Sequence, residues 1–66
     1  MKVVIERSKK TIQVQWKRGL TVKDIAVQVG VNLVEVVAAV NDTIVTDDYV
    51  VEKDDVVEFF SVVSGG

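Results

Sequence analysis

The stretch that decides the fold is residues 55–66, which reads DVVEFFSVVSGG. Apolar residues dominate it up to Val63, and β-branched and aromatic side chains of this kind favour a β-strand. The strand then runs into Ser64, Gly65 and Gly66, so the final three residues carry almost no side chain. Glycine adopts backbone angles that are closed to other residues, and bare backbone can enter a channel too narrow for a side chain. The pattern predicts a rigid strand that carries a slender C-terminal tail.

The composition restricts the chemistry that the chain can perform. Its 66 residues suffice for one small domain, and they include no cysteine and no histidine. A disulfide framework, a thiol nucleophile and the commonest general base and metal ligand are therefore excluded. Eighteen valines and four isoleucines favour strands. No leader and no apolar run long enough for a membrane is found, so a cytoplasmic protein without a membrane segment is expected.

Charge is distributed unevenly along the chain. Residues 1–23 hold seven of the eight basic residues and one acid, whereas residues 24–66 hold nine acids and Lys53 as the single basic residue. One interpretation is that strands from the two halves lie side by side and their charges pair across the sheet. The other is that the acidic half faces a basic partner. With a pI near 4.9 and no basic face that carries aromatic residues, direct binding of nucleic acid is not expected.

Residues 2–6 and 11–16 predict an N-terminal hairpin. In the second segment the apolar residues Ile12, Val14 and Trp16 alternate with polar ones, which is typical of a strand with one buried face. The polar residues between the two segments are expected to turn the chain.

A single helix is predicted after the hairpin. Thr21 is expected to cap the first turn, and Asp24, three residues later, completes a capping box. Gly30 stands where a left-handed C-cap is expected. The intervening apolar residues recur at helical spacing and predict a buried stripe, formed by Val22, Ile25, Ala26 and Val29.

Three further strands complete the pattern. Residues 36–40 predict a strand, Asn41 and Asp42 a turn, and residues 43–45 a short return strand. In the irregular stretch before the last strand, Tyr49 and Val51 are expected to pack against the core. This order of elements predicts an α+β fold of the β-grasp (ubiquitin-like) type. In that fold one main helix crosses a mixed four- to five-stranded sheet, and the last strand can lie parallel beside the first.

Two segments resemble the ubiquitin-like sulfur carriers, namely the thiamine-biosynthesis carrier (ThiS) and the small subunit of molybdopterin synthase (MoaD). Residues 36–45, VVAAVNDTIV, are similar to the carriers' strand and Asn-containing turn, and residues 54–66, DDVVEFFSVVSGG, match their last strand and terminal Gly-Gly. The chain departs from the carriers at Ser64, where glycine or alanine is commoner. It also reads VNDTIVT where thiamine-type carriers resemble VNGxIVP.

The resemblance implies that the chain is a carried cosubstrate and not an enzyme. In these families an ATP-using, ubiquitin-activating-type enzyme adenylates the terminal carboxylate, here that of Gly66, which is then converted to a thiocarboxylate. Ser64 and Gly65 would thread the activating enzyme. The sulfur would pass to thiazole synthase, to the large subunit of molybdopterin synthase or to a tRNA base. No catalytic residue, resident cofactor or metal is expected, and the domain would cover residues 1–63 with a tail of residues 64–66.

The last strand also predicts a surface for a partner. The side chains expected to face the helix are Val57, Phe59 and Val63. The outward-facing side chains, which we call the docking row, are then Val56, Glu58, Phe60 and Val62, and an exposed apolar row of this kind is typical of a binding site. Asp54 and Asp55 lie beside it and could orient a basic partner. The alternatives are that a loop covers Phe60 or that the strand is buried on both faces.

Two other functions are compatible with the same residues. A ubiquitin-like modifier would form an isopeptide bond between Gly66 and a lysine of another protein, and this reaction also begins with adenylation. A plain β-grasp binding module would carry the Gly-Gly end incidentally. The sequence does not name the final sulfur acceptor.

Overall fold

The computed structural model describes residues 1–61, which form a five-stranded mixed sheet with one α-helix on one face. The strands are β1 (Lys2–Ile5), β2 (Lys10–Gln13), β3 (Val36–Val40), β4 (Thr43–Val45) and β5 (Val56–Ser61), the helix is α1 (Val22–Val29), and a short 3-10 helix covers Glu6–Ser8. The predicted β-grasp fold is confirmed. The predicted boundary between a domain of residues 1–63 and a tail of residues 64–66 lies outside the described residues.

The sheet has the strand order β2-β1-β5-β3-β4, which places the last strand in the centre. β5 runs parallel to β1, with Ile5 opposite Phe59, and antiparallel to β3, with Ala38 opposite Phe59. The outer pairs, β1 with β2 and β3 with β4, are antiparallel. The first and last strands therefore pair as predicted.

Both ends of α1 carry the predicted caps. The backbone N–H of Asp24 donates to Oγ1 of Thr21 at 3.2 Å, and the backbone N–H of Thr21 donates to Oδ2 of Asp24 at 3.1 Å. The hydrogen bond from the Thr21 backbone N–H, and after it the interaction with the Thr21 hydroxyl, hold the pKa of the Asp24 carboxyl below its ordinary value. At the other end Gly30 adopts the left-handed conformation, with φ of 77°.

The core lies between α1 and the inner face of the sheet. Its fully buried side chains are Val3, Leu20, Val22, Ile25, Val51, Val57 and Phe59. Within the predicted helical stripe, Ala26 is also buried, and Val29 is half-buried and packs against the same cluster. The assignment of the helix face is therefore confirmed.

The segment before β5 is held to the start of α1. The backbone N–H of Val51 donates to the carbonyl of Leu20 at 2.9 Å, and Nε1 of Trp16 donates to the carbonyl of Val51 at 3.0 Å. Val51 is buried as predicted, but the prediction for Tyr49 is wrong, because 39% of its surface is exposed. A tight turn, in which Tyr49 N–H donates to the Thr46 carbonyl at 3.2 Å, precedes it. Strand alternation does not continue through such a turn.

The two charged halves of the sequence lie toward opposite edges of the sheet. β2, which begins at Lys10, is one edge strand, and β4, which is followed by Asp47, is the other. Glu58, the acidic residue of the described strands, lies opposite Val4 and Ala39 and not opposite a basic residue. No opposite charges therefore lie directly opposite each other in the described strands, and charge pairing across the sheet, the first of the two interpretations above, is not confirmed.

Three strand boundaries differ from the prediction, all in the N-terminal hairpin, and one of them is the start of β2, which lies at Lys10 and not at Thr11. β2 ends at Gln13 and not at Trp16, although Val14 still exchanges two backbone hydrogen bonds with Met1 at 2.9 and 3.0 Å. β1 ends at Ile5 because Glu6 begins the 3-10 helix. Within residues 1–61, no helix is long and apolar enough to cross a membrane.

Candidate docking face and C-terminal strand

The central strand β5 leads toward the C-terminus and is supported on both sides. On one side β1 ends at Ile5, opposite Phe59, and on the other side β3 begins at Val36, opposite Ser61. Neither neighbour extends past Ser61 in the described part of the chain. Ser61 therefore lies at the margin of the sheet, five residues before Gly66.

The exposure of side chains alternates along β5. Val57 and Phe59 are buried against α1, whereas Val56 is 40% exposed and Glu58 and Phe60 are half-buried on the opposite face. These exposures agree with the faces predicted for residues 56–60. Of the other residues assigned to these faces, Val62 and Val63 lie outside the described residues. That a partner binds the docking row stays a prediction.

The neighbouring strands extend the outward surface beyond the docking row. Val4 of β1 lies opposite Glu58, Val37 of β3 lies opposite Phe60, and Ile44 of β4 lies opposite Ala39. Ile44 is 67% exposed. We call the apolar part of this surface, together with Glu58, the outer face, and its described members are Val4, Val37, Ala39, Ile44, Val56, Glu58 and Phe60; Lys2, opposite Val56, lies on the same side of the sheet. The outer face is an apolar surface that spans four strands and has a carboxylate near its centre.

The sequence interpretation missed the residues that β1, β3 and β4 contribute to the outer face. Alternation within each strand marks Val4, Val37 and Ile44 as candidates, because each is apolar and one position away from an inward-facing residue. Only the strand order shows that the three lie around Glu58. When a partner covers Glu58, this carboxylate needs a cation or a hydrogen-bond donor, from the partner or from Lys2 nearby, since a buried carboxylate without one is unfavourable.

Asp55 does not serve the role that its position beside the docking row suggested. Its side chain is buried, with Oδ1 accepting from Nδ2 of Asn41 at 2.8 Å and Oδ2 accepting from the backbone N–H of Glu52 at 2.7 Å. Both carboxylate oxygens are engaged within the domain. The expectation that Asp55 helps to orient a partner is therefore wrong, whereas Asp54 is exposed on the adjacent turn.

Asn41 explains part of the VNDTIV motif. Its Oδ1 accepts from the backbone N–H of Val56 at 3.0 Å, and its own N–H donates to the Val56 carbonyl at 3.0 Å. Asn41 and Asp42 both have positive φ, 50° and 70°, as in the two-residue turns that prefer Asn-Gly. Asparagine at the first position thus fixes where β5 begins. Aspartate at the second position is tolerated because its short polar side chain can adopt this conformation.

A half-open cleft of about 550 Å³ lies at the same end of the sheet as Ser61. Its apolar residues include Ile5, Ile12, Val29 and Phe59, and Arg7 and Lys10 are among its polar residues. Among residues 1–61, no group of three or more histidine, cysteine, aspartate or glutamate residues is placed to hold a metal ion.

The chain matches the model of a known protein family. The model of the ThiS family matches residues 3–66, which is nearly the whole chain and includes Gly65 and Gly66. The chain belongs to the ThiS family. Members of the ThiS family are small sulfur carriers and not themselves enzymes, and the five-stranded sheet with one helix is consistent with their β-grasp fold.

Membership in the ThiS family confirms the resemblance drawn from the two sequence segments. It also implies, in general terms, interactions with an adenylating enzyme and with sulfur acceptors. The individual roles predicted for Ser64, Gly65 and Gly66 lie outside the described residues and stay predictions.

Proposed function

We propose that this chain carries sulfur on the C-terminal carboxylate of Gly66, as a thiocarboxylate formed after adenylation by an ATP-dependent activating enzyme. The observation that carries the proposal is the position of β5, the central strand, whose last described residue lies at the sheet margin. The five residues beyond Ser61 span at most about 17 Å when extended. The sheet thus fixes the position from which these five residues extend toward the nucleotide site of an enzyme.

The chemistry requires activation because a carboxylate resists attack by another anion. In the first step a Gly66 carboxylate oxygen attacks the α-phosphorus of ATP, and pyrophosphate leaves. In the second step sulfide attacks the carbonyl carbon of the acyl-adenylate, a C–S bond forms, and AMP leaves with the carboxylate oxygen. The products are a C-terminal thiocarboxylate, AMP and a released proton. All catalytic groups belong to the activating enzyme, and this chain supplies the reacting carboxylate.

The outer face is the surface that we assign to the activating enzyme. Apolar side chains on four neighbouring strands surround Glu58, and the same central strand leads to the tail. A partner that covers the outer face with an apolar patch and pairs a cation with Glu58 fixes the direction in which Ser64 and Gly65 enter its channel. Side chains at positions 65 and 66 would obstruct that channel, which accounts for the two glycines.

Three kinds of sulfur acceptor fit a carrier of this chemistry. They are a thiazole synthase in thiamine biosynthesis, the large subunit of molybdopterin synthase, and an enzyme that thiolates a tRNA base. Each would receive sulfur from the thiocarboxylate of this chain, and none requires a resident cofactor or a catalytic side chain from this chain.

Exchange of labelled pyrophosphate into ATP tests the first step separately from sulfur transfer. With the cognate activating enzyme present, exchange should depend on the chain and should be lost in a Gly66→Val variant that retains its fold and its binding to the enzyme. Exchange that proceeds equally with wild type and Gly66→Val contradicts the role of Gly66. Absence of exchange with a wild-type chain that demonstrably binds the enzyme contradicts the adenylation step.

A further inference from the structure

The edge strand β2 has backbone groups that face away from the sheet. Met1 and Val14 exchange two backbone hydrogen bonds, so Val14 turns its N–H and C=O toward β1. Because these groups alternate in direction along an antiparallel strand, Ile12 also faces β1, whereas Thr11 and Gln13 face outward. The outward backbone groups of Thr11 and Gln13 have no strand beside them in the described sheet.

The opposite edge strand, β4, has the same property. The N–H of Asn41 donates to the carbonyl of Val56 on β5. Because backbone groups alternate in direction along an antiparallel strand, those of Val40 face β4, where Thr43 lies opposite. Ile44 therefore points its N–H and C=O away from the sheet. Backbone groups that face outward from the edge of the described sheet are templates for another strand.

The charges beside the two edges are complementary. Lys9 and Lys10 lie where β2 begins, and Asp47 and Asp48 follow the end of β4, and all four side chains are exposed. β2 runs antiparallel to β1, whereas β4 runs in the same direction as β1, through β5 and β3. The beginning of β2 and the end of β4 therefore lie at the same end of the sheet.

We propose that this chain self-associates edge to edge, with β2 of one copy pairing antiparallel with β4 of a second copy. When Ile44 lies opposite Gln13, Val45 lies opposite Ile12 on the inner side of the joined sheet. The same register brings Asp47 and Asp48 toward the lysines that begin β2 in the second copy, Lys9 and Lys10. Antiparallel pairing of two β2 edges or of two β4 edges would not place these lysines beside these aspartates.

This contact is heterologous, so it links copies into short chains and not into a closed symmetric dimer. The edges are short, which makes the association weak, and its charged groups are exposed, which makes it sensitive to salt. It involves Ile44 at the margin of the outer face but leaves Glu58, Phe60 and Ser61 outside the contact, and it does not depend on the proposed function.

Sedimentation equilibrium of the full chain alone tests the proposal at about 0.02 M and about 0.5 M salt. At low salt the weight-average mass should rise with concentration above the monomer mass of 7.3 kDa. At high salt the association constant should fall by about tenfold or more. A mass that stays at the monomer value at low salt up to millimolar concentration overturns the proposal.

Charge reversal identifies the edges. Lys9→Glu with Lys10→Glu, and separately Asp47→Lys with Asp48→Lys, should each give a monomer, whereas an equimolar mixture of the two variants should associate like wild type. Lys17→Glu with Lys53→Glu changes the net charge as much as the first variant but alters no residue that the proposed register places in the contact, so it should still associate. Association that survives in either edge variant alone, or that fails to return in a mixture of two folded variants, overturns the assignment of the edges.

Discussion

The side-chain amide of Asn41 donates to Oδ1 of Asp55 at 2.8 Å, between residues 14 positions apart, and so ties the β3–β4 turn to the residue that precedes β5. Together with the two bonds between Asn41 and the backbone of Val56, this contact sets the start of the strand that leads to the C-terminus.

Replacing Asn41 with alanine should therefore destabilise the domain. The variant leaves the carboxylate of Asp55 without one partner and the N–H of Val56 without its acceptor, and a loss of about 1–3 kcal/mol is expected. Asn32→Ala is a matched control, because Oδ1 of Asn32 accepts a single bond from Val34 N–H in an exposed turn. Urea denaturation measures the free energy of unfolding of both variants, and an equal decrease in the two would contradict the structural role of Asn41.

The packing of α1 is tested by Ile25→Ala. Ile25 is fully buried between the helix and the sheet, so the truncation should cost about 2–4 kcal/mol in the free energy of unfolding. Val27 lies on the same helix and is 74% exposed, so Val27→Ala should change stability by less than about 0.5 kcal/mol. Similar losses in the two variants would mean that the buried face of the helix is wrongly assigned.

Acid should weaken the N-terminal cap of α1. The hydrogen bonds from Thr21 lower the pKa of Asp24 in the folded chain, so the capping contribution is fully present above the unfolded pKa, about 3.9. It is lost as the pH falls through the lower folded value. The free energy of unfolding of wild type should therefore decrease relative to that of Asp24→Asn as the pH falls from about 5 to about 2.5. A difference that is independent of pH contradicts this account.

The outer face is tested by Phe60→Asp. Phe60 is half-buried on the face opposite α1, so aspartate should weaken binding to the activating enzyme by about tenfold or more and leave the midpoint of thermal unfolding nearly unchanged. Ile44→Asp should act in the same direction. Val27→Asp, on the exposed side of the helix, should not affect binding. If Phe60→Asp unfolds the domain, Phe60 belongs to the core and the docking row loses its central residue.

Local patterns in the sequence predicted most of the fold. Thr21, Asp24 and Gly30 mark the helix ends through contacts within a few residues, and period-two alternation assigned the faces of residues 56–60. The exposure of Tyr49 follows from the tight turn that precedes it, and no periodic pattern in this irregular stretch indicates which side chains turn inward. The sequence does not decide between the two interpretations of the charge distribution, because the neighbours of each strand depend on strand order.

The candidate site was predicted less completely, and for a related reason. The docking row lies on one strand, so its described members could be read from alternation alone. Val4, Val37 and Ile44 join it only through the register of neighbouring strands. The contact between Asn41 and Asp55 likewise joins residues that no local pattern connects, which is why Asp55 was assigned to a partner and not to the fold.

The central claim concerns Gly66, and its most direct test is intact-protein mass spectrometry. The chain is incubated with ATP, a sulfide donor and the cognate activating enzyme, beside two variants, Gly65→Val and a chain extended by one alanine after Gly66. Wild type should gain the mass difference of sulfur replacing oxygen, located on the C-terminal residue, and both variants should stay unmodified although they fold and bind the enzyme. A product linked to lysines of other proteins would instead identify a modifier. An unmodified wild type with a bound activating enzyme, or equal modification of the extended chain, would contradict the account.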